Sequence, residues 1–235
     1  MAVRVGTSGF SYKEWKSIFY PADLPQKRFL SYYATRFPCV EIDSTFYRMP
    51  TPETLDGWKD ATPDDFRFAI KASQRITHRQ RLAVPSDALQ YQLTLLGRLD
   101  SRLGVVLYQL PPFFRQDLDR LESFLGALPE RPRSAFEFRH LSWFADATFR
   151  LLEKHGAAMC INDNDDFECP AVLTAKHTYV RLRRDQYSPE QRALWKERFR
   201  EFSAAGVDVF VFIKHKDNPE APLIALDFAS GFGGE

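Results

Sequence analysis

Cysteine is scarce in this 235-residue chain: Cys39, Cys160 and Cys169 are the only three, and no Cys-x-x-Cys pair occurs. Three scattered thiols exclude a disulfide framework and fit a reducing, cytoplasmic compartment. Cys39 and Cys160 fall in predicted strands, where a free thiol is most simply a small core residue. Long apolar runs are also absent, none approaching the roughly 18 residues of a membrane span. Met1–Val5 leads straight into a predicted strand, so no signal peptide is expected. Nor is there an excess of either charge. The 32 Lys and Arg against 31 Asp and Glu leave a net charge of +1, so no global field advertises nucleic acid or a membrane. Any anion binding must come from local clustering. No obligate protein partner is evident. Neither dinucleotide-binding nor Walker glycine spacing occurs, which argues against hydride transfer and P-loop chemistry.

What the chain does have is a repeated pattern. Eight short β-branched or aromatic runs recur: Val3–Thr7, Val40–Asp43, Phe66–Lys71, Gly104–Gln109, Ala135–Arg139, Ala158–Asn162, Thr178–Arg181 and Asp208–Lys214. Most end in a charged or polar residue. Between them lie stretches with helical spacing: Pro25–Phe37, a helix from the Thr51 cap through Trp58, Ser86–Leu99, Asp117–Leu128, Ser142–His155, Ser188–Ala205 and Glu220–Phe228. Ser142 and Ser188 are the expected caps of their helices. After the sixth strand, over Asp163–Ala175, the helix is expected to be short or missing. An eightfold strand–helix alternation over a length near 250 residues predicts one α/β domain, residues 1–235, folded as a TIM-barrel-like closed parallel barrel.

In such a barrel, alternate strand residues point inward, and the site sits where the strands end. The alternation sends Phe68, Ile70, Phe136, Phe138, Val40, Ile42, Val180 and Leu182 toward the helices. It leaves Ala69 and Lys71, Glu137 and Arg139, Glu41 and Asp43, and Tyr179 and Arg181 facing the barrel. Four strands read independently each direct charge to the same rim.

Several blocks resemble the YecE-like family. They begin with Val5-Gly6-Thr7-Ser8-Gly9-Phe10-Ser11-Tyr12, then Trp15 and Phe19-Tyr20-Pro21. They continue through Val40–Arg48, Phe66–Lys71, Ile76-Thr77-His78, Gln109–Phe113, Glu137–His140 with Ser142-Trp143-Phe144, and Tyr179–Leu182. The blocks run in order over almost the whole chain. The resemblance implies a TIM-barrel-like fold and no settled reaction, since that family is itself a domain of unknown function. Two places depart from its pattern: Arg183-Arg184, where many relatives carry His-Gly, and Lys214-His215, where others carry paired asparagines.

Glu41 and Glu137, on separate strands, have the character of a general acid–base or nucleophile–acid pair. The competing reading makes each a salt-bridge partner of Lys71, Arg139 or Arg181, because buried charges need partners. Lys71 is either a paired lysine or a desolvated nucleophile. Lys71, Arg139, Arg181 and Lys214 together make the mouth cationic, which suits a phosphate or carboxylate ligand. Thr7 and Ser8, in the glycine-bracketed loop after the first strand, either help cradle that anion or form a tight turn. Tyr12, Trp15, Phe46, Tyr47 and Trp143, beside Phe10, Phe113 and Phe114, form either a stacking surface or a collar that packs the loops. His78, Gln109, His140 and Asp163 complete the expected ligand contacts.

No cofactor is expected. His78, His140, His215, Glu41, Glu137 and Asp163 gather near the strand ends, but His-x-His and His-Glu-x-x-His are lacking, so only a weak divalent ion bound with ligand stays open. Asn162–Asp166 reads as a solvated turn, and His155 and His177 as structural residues on the opposite side. The favoured function is a hydrolase or lyase acting on a phosphate-bearing sugar or nucleic-acid unit; the alternative is a non-catalytic nucleic-acid-binding barrel. If Glu137 is catalytic, Glu137→Gln abolishes turnover at nearly unchanged melting temperature. A large loss of stability marks the salt-bridge role instead.

Overall fold

The computed structural model describes residues 1–164, 168–214 and 218–232. Eight strands, β1 Val3–Ser8, β2 Cys39–Ile42, β3 Arg67–Lys71, β4 Leu103–Gln109, β5 Arg133–Glu137, β6 Ala158–Asp163, β7 His177–Leu182 and β8 Asp208–Lys214, pair in parallel and in chain order to close a barrel. The eight predicted runs and the strands coincide to within two residues at each end. Closure joins the first strand to the last over six register pairs, from Val3 with Val209 to Ser8 with Lys214.

Among the described residues seven α-helices wrap the barrel: α1 Phe29–Tyr33, α2 Pro52–Asp60, α3 Asp87–Leu96, α4 Leu118–Gly126, α5 Asp146–Lys154, α6 Pro189–Ala204 and α7 Ala221–Ala229. Among the described residues none lies between β6 and β7, as the sequence led us to expect. Thr51, Ser86 and Asp117 cap α2, α3 and α4 through their side chains. Ser188 makes a full capping box with Gln191 at α6. Ser142 does not cap α5, which starts four residues later after Ala145. Its hydroxyl instead accepts the Gln116 amide at 2.8 Å, so it ties the loop after β4 to the loop after β5. Pro25–Phe37 is also broken, a 3₁₀ turn at Gln26–Arg28 leading into the short α1.

Two apolar layers result from the strand alternation. Cys39, Ala69, Val105, Leu107, Ala135, Ala158, Cys160, Tyr179, Phe210 and Phe212 fill the interior. Phe68, Ile70, Phe136, Phe138, Val180 and Leu182 pack outward against the helices, where Trp58 of α2 stacks on Phe68 at 5.6 Å. Phe210, Phe212 and Tyr179 fill the barrel with rings, and β2, β3, β5 and β6 supply the small residues Cys39, Ala69, Ala135, Ala158 and Cys160 that leave room for them.

The seam between β1 and β2 is unusual. The two strands share one register pair, Ser8 with Glu41. Below it the Tyr33 hydroxyl, carried by α1, stands between the strands. It accepts the Thr7 amide at 2.8 Å and lies 3.1 Å from the Cys39 carbonyl, taking the place of a ladder hydrogen bond. Gly6 makes room for this wedge, since a Cβ there would stand 2.2 Å from the Cys39 oxygen and 3.0 Å from the Tyr33 hydroxyl.

Candidate functional site

Arg181 rises from β7 to the centre of the C-terminal mouth, and the predicted inward charges converge on it. Its side chain is 1% exposed. One terminal nitrogen donates to Glu41 Oε1 at 2.8 Å, and the other donates to Glu137 Oε2 at 2.5 Å and Gln109 Oε1 at 3.3 Å. The remaining carboxylate capacity is also used. Ser8 Oγ donates to Glu41 Oε1, and the Tyr179 hydroxyl donates to Glu41 Oε2 at 2.6 Å. Glu137 Oε1 accepts from Arg139 at 3.0 Å, Asn162 at 3.3 Å and Arg183 at 3.3 Å.

These partners settle the ionisation of both acids. Burial pushes the Glu137 carboxyl up, but Arg181, Arg139 and Arg183 more than offset it and hold it at about 2. For Glu41, burial is likewise overcome by Arg181, Ser8 and Tyr179, leaving the carboxyl below its ordinary range. Both are carboxylates near neutrality, and neither has a proton to donate.

Lys71, at the end of β3, stands apart from this network. Its amine lies over the Phe46 ring, 4.1 Å from the centroid, and has no ion pair among the described residues. Burial lowers it to about 8; Arg181 adds to the shift, and the two glutamates oppose it. His78 packs edge-on against the same Phe46 ring at 4.8 Å. It is lowered by burial and by Lys71 and Arg139. Across the mouth, Lys214 reaches Asp43 at 3.5 Å. The cup thus holds Lys71, Arg139, Arg181, Arg183 and Lys214 against Glu41, Glu137 and Asp43, an excess of two positive charges. Arg181 Nε, Arg183 Nε and Asn162 Oδ1 are buried there without hydrogen-bond partners among the described residues.

Not every expected contact enters the cup. Thr7 is fully buried against Tyr33 and donates to the Gly9 carbonyl. The next residue, Ser8, has the opposite parity and does face the mouth. The Gly9 amide donates to the Glu41 carbonyl at 2.7 Å, so the loop after β1 is the tight turn and not a phosphate cradle. Trp15 and Trp143 are fully buried: Trp15 packs on Tyr12 and Phe19, and Trp143 stacks on Phe138 with its indole donating to the Phe114 carbonyl. These two belong to the collar. His140 is engaged by Ser142 in its own turn. Asp163 points away from the cup, accepting from Arg184 and from the Trp195 indole.

Tyr12 stays near the cup, its hydroxyl on the Ser8 carbonyl, and its ionisation is raised by burial, Asp43 and Glu41. Tyr47 is 76% exposed on the rim. His177 is buried at the opposite end, with its ring on the Ser134 carbonyl. His215, Asp165 and Asp166 lie outside the described residues. Among the described residues, no three His, Cys, Asp or Glu side chains are grouped to hold a metal.

Sequence reasoning omitted Tyr179, Asn162 and Arg183 from the ligand set. Each carries a signal in the strand alternation: Tyr179 and Arg183 share parity with Arg181, and Asn162 shares it with Cys160.

The architecture agrees with known proteins. Residues 4–235 match the family described as protein of unknown function DUF72. The chain belongs to the DUF72 family. Among curated proteins, it is similar to the UPF0759 protein YunF of Bacillus subtilis, 27% identical over 93% of this chain and 90% of that one. A stronger local likeness, 38% identity, links 49% of the chain to 43% of the UPF0759 protein YecE of Escherichia coli. The crystal structure of a DUF72 protein from Thermotoga maritima superimposes with a TM-score of 0.85, at 27% identity over 97% of this chain and 98% of that one. A DUF72 protein from Enterococcus faecalis shares the fold, with a TM-score of 0.79 at 19% identity, covering 97% and 94% of the two chains. The family name carries no reaction, so the chemistry must be argued from the cup.

Proposed function

We propose that this DUF72 barrel is an enzyme whose C-terminal cup binds a phosphate-bearing substrate, a sugar phosphate or a nucleic-acid unit, for a hydrolytic or lyase-type step. Lys71 is the observation that carries the reading. It is a nearly buried amine without an ion pair among the described residues, lowered to about 8 inside a cup with surplus positive charge. A lysine tuned to that range exchanges protons readily at physiological pH.

In this reading Arg139, Arg183 and Lys214 receive the anion, with the orphaned Nε groups of Arg181 and Arg183 as further donors. Lys71 moves the proton. Glu41 and Glu137 hold Arg181 and its neighbours in place, and this replaces the acid–base role first expected of them. Each of their oxygens accepts at least one hydrogen bond and their carboxyls stay ionised.

The test is a crystal grown in phosphate, paired with thermal-shift titrations of inorganic phosphate. An oxyanion bound between Lys71, Arg139 and Arg183, with stabilisation lost in Lys71→Met and Arg139→Ala, is expected. A mouth that stays free of anion, together with no phosphate-dependent shift, overturns the reading.

A further inference from the structure

The loops that roof one side of the cup have an unusual composition. Ser44–Thr51 after β2, Ala72–Ser86 after β3, Leu110–Gln116 after β4 and Phe138–Ala145 after β5 contain six arginines and two histidines. Within these bounds they contain no Asp or Glu; Asp43 and Asp117, which flank two of them, are paired with Lys214 and Arg120. The other half of the rim is mixed: Asp163 ends β6 and Glu168 follows it, Arg183, Arg184 and Asp185 follow β7, and Glu220 follows β8. Of the six arginines, Arg139 is held by Glu137, and the other five leave an excess of positive charge on one arc of the mouth in a chain of net charge +1.

The ion pairs sharpen the contrast. Several arginines elsewhere on the surface find carboxylates, Arg98 with Asp56, Arg102 with Asp64, Arg192 with Asp227 and Arg200 with Glu197, while Arg28, Arg36 and Arg131 find none among the described residues and are spread along the chain. Arg48, Arg75, Arg79, Arg81 and Arg115 make no ion pair among the described residues. Arg75 and Arg79 are held outward by the π-helical turn Arg75–Arg79, which buries Ile76 and Thr77 on its other side. Such turns are rare and recur at functional sites.

Exposed rings stand among these cations. Tyr47 is 76% and Phe113 is 65% exposed. Tyr47 packs against Phe46, the ring beneath Lys71, so the rim is continuous with the cup. Arg81 lies 5.7 Å from the Phe113 centroid and bridges the loops after β3 and β4. Exposed aromatic faces interleaved with unpaired arginines are the pairing that single-stranded nucleic acids require. Bases stack on the rings without regard to sequence, and the cations track the phosphates. An acidic protein segment would use the cations but leave the rings without function.

We infer that the arc over β2–β5 is a docking track for single-stranded nucleic acid, feeding a phosphate-bearing unit of the strand into the cup. This rests on the reading of the cup as an anion site and names the substrate class. Fluorescence anisotropy with labelled dT15 and rU15 tests it, the two probes separating DNA from RNA. Either strand should bind with affinity that falls steeply as salt rises. The double substitution Arg75→Ala with Arg79→Ala should reduce the salt slope by about 1.4, roughly 0.7 for each phosphate contact on a single strand. Tyr47→Ala and Phe113→Ala should each weaken binding about tenfold or more through lost stacking. These side chains are exposed, so the melting temperature should not move.

Phosphate stabilisation at the cup should persist in all these variants. If phosphate binds the cup but neither oligonucleotide binds at low salt, the track is refuted and the cup stands. If phosphate also fails, both readings fall. Equal affinity for poly-glutamate, or oligonucleotide binding indifferent to Tyr47 and Phe113, likewise overturns the track.

Discussion

Arg181 Nη1 lies 2.5 Å from Glu137 Oε2 with both side chains buried at the floor of the mouth. Glu137 also receives Arg139, Arg183 and Asn162, so one carboxylate organises three guanidinium groups. Glu137→Gln removes that charge and leaves buried cations short of a partner. Breaking such a pair costs about 3–5 kcal/mol. For a protein of this size the melting temperature should fall by roughly 6–20 °C. Calorimetry or circular dichroism checks this; an unchanged transition would mean the glutamate is dispensable to the fold, as a purely catalytic group would be.

The same carboxylates make the protein acid-sensitive in a defined window. Glu137 is depressed from 4.5 to about 2, so its contribution is complete above about pH 4.5 and is lost as pH falls toward 2. Glu41 shifts in the same direction. Urea midpoints measured from pH 6 downward should therefore drop through this window, and the drop should flatten in Glu137→Gln.

Lys71 works in the opposite sense. Its folded-state value of about 8 lies below the ordinary 10.5, so the native state binds fewer protons between these limits. Its burial costs stability below pH 8, and that cost is relieved as pH rises toward 10.5. Lysine side-chain NMR should show one resonance titrating near 8 that disappears in Lys71→Met and moves to higher pH when phosphate is added. A resonance near 10.5 would show that the amine is solvated.

Tyr33→Phe removes the hydroxyl between β1 and β2 and leaves the Thr7 amide and the Cys39 carbonyl short of a partner in a buried seam. An unsatisfied buried group costs about 1–3 kcal/mol. Urea denaturation should show that loss with little change in slope, and the Thr7 amide should exchange with solvent faster than the amides of β8.

Strand identity and strand facing were legible because a two-residue alternation is written directly into each run, as in Phe68–Lys71 and Phe136–Glu137. The convergence on Arg181 followed from the same parity. Parity also explains the slips. Thr7 and Ser8 are adjacent and both polar, yet only Ser8 faces the mouth; the one charge in the run, Arg4, shares the parity of Ser8 but sits at the other end of the strand beside Asp208, where it does not advertise the mouth. Trp15 and Trp143 belong to the collar because a large ring near a loop serves packing and stacking equally well in sequence; only burial separates them from Tyr47 and Phe113. Arg183 was missed because its strand was read as ending at Arg181, two residues too soon to include it. The two glutamates were correctly placed, but spacing along the chain says nothing of how many donors each carboxylate meets.

The junction of β1 with β8 fixes when the mouth comes into being. Ser8 and Lys214 face each other across that junction, 206 positions apart in the chain. A ribosome must release the chain at least as far as Lys214 before the two strands can meet, and contacts of such separation are the slowest to form. Without that junction the barrel is not closed, and nothing encloses the side between β1 and β8 on which Ser8 and Lys214 stand. Ligand affinity should therefore appear abruptly, with the last strand, rather than accumulate as the protein grows.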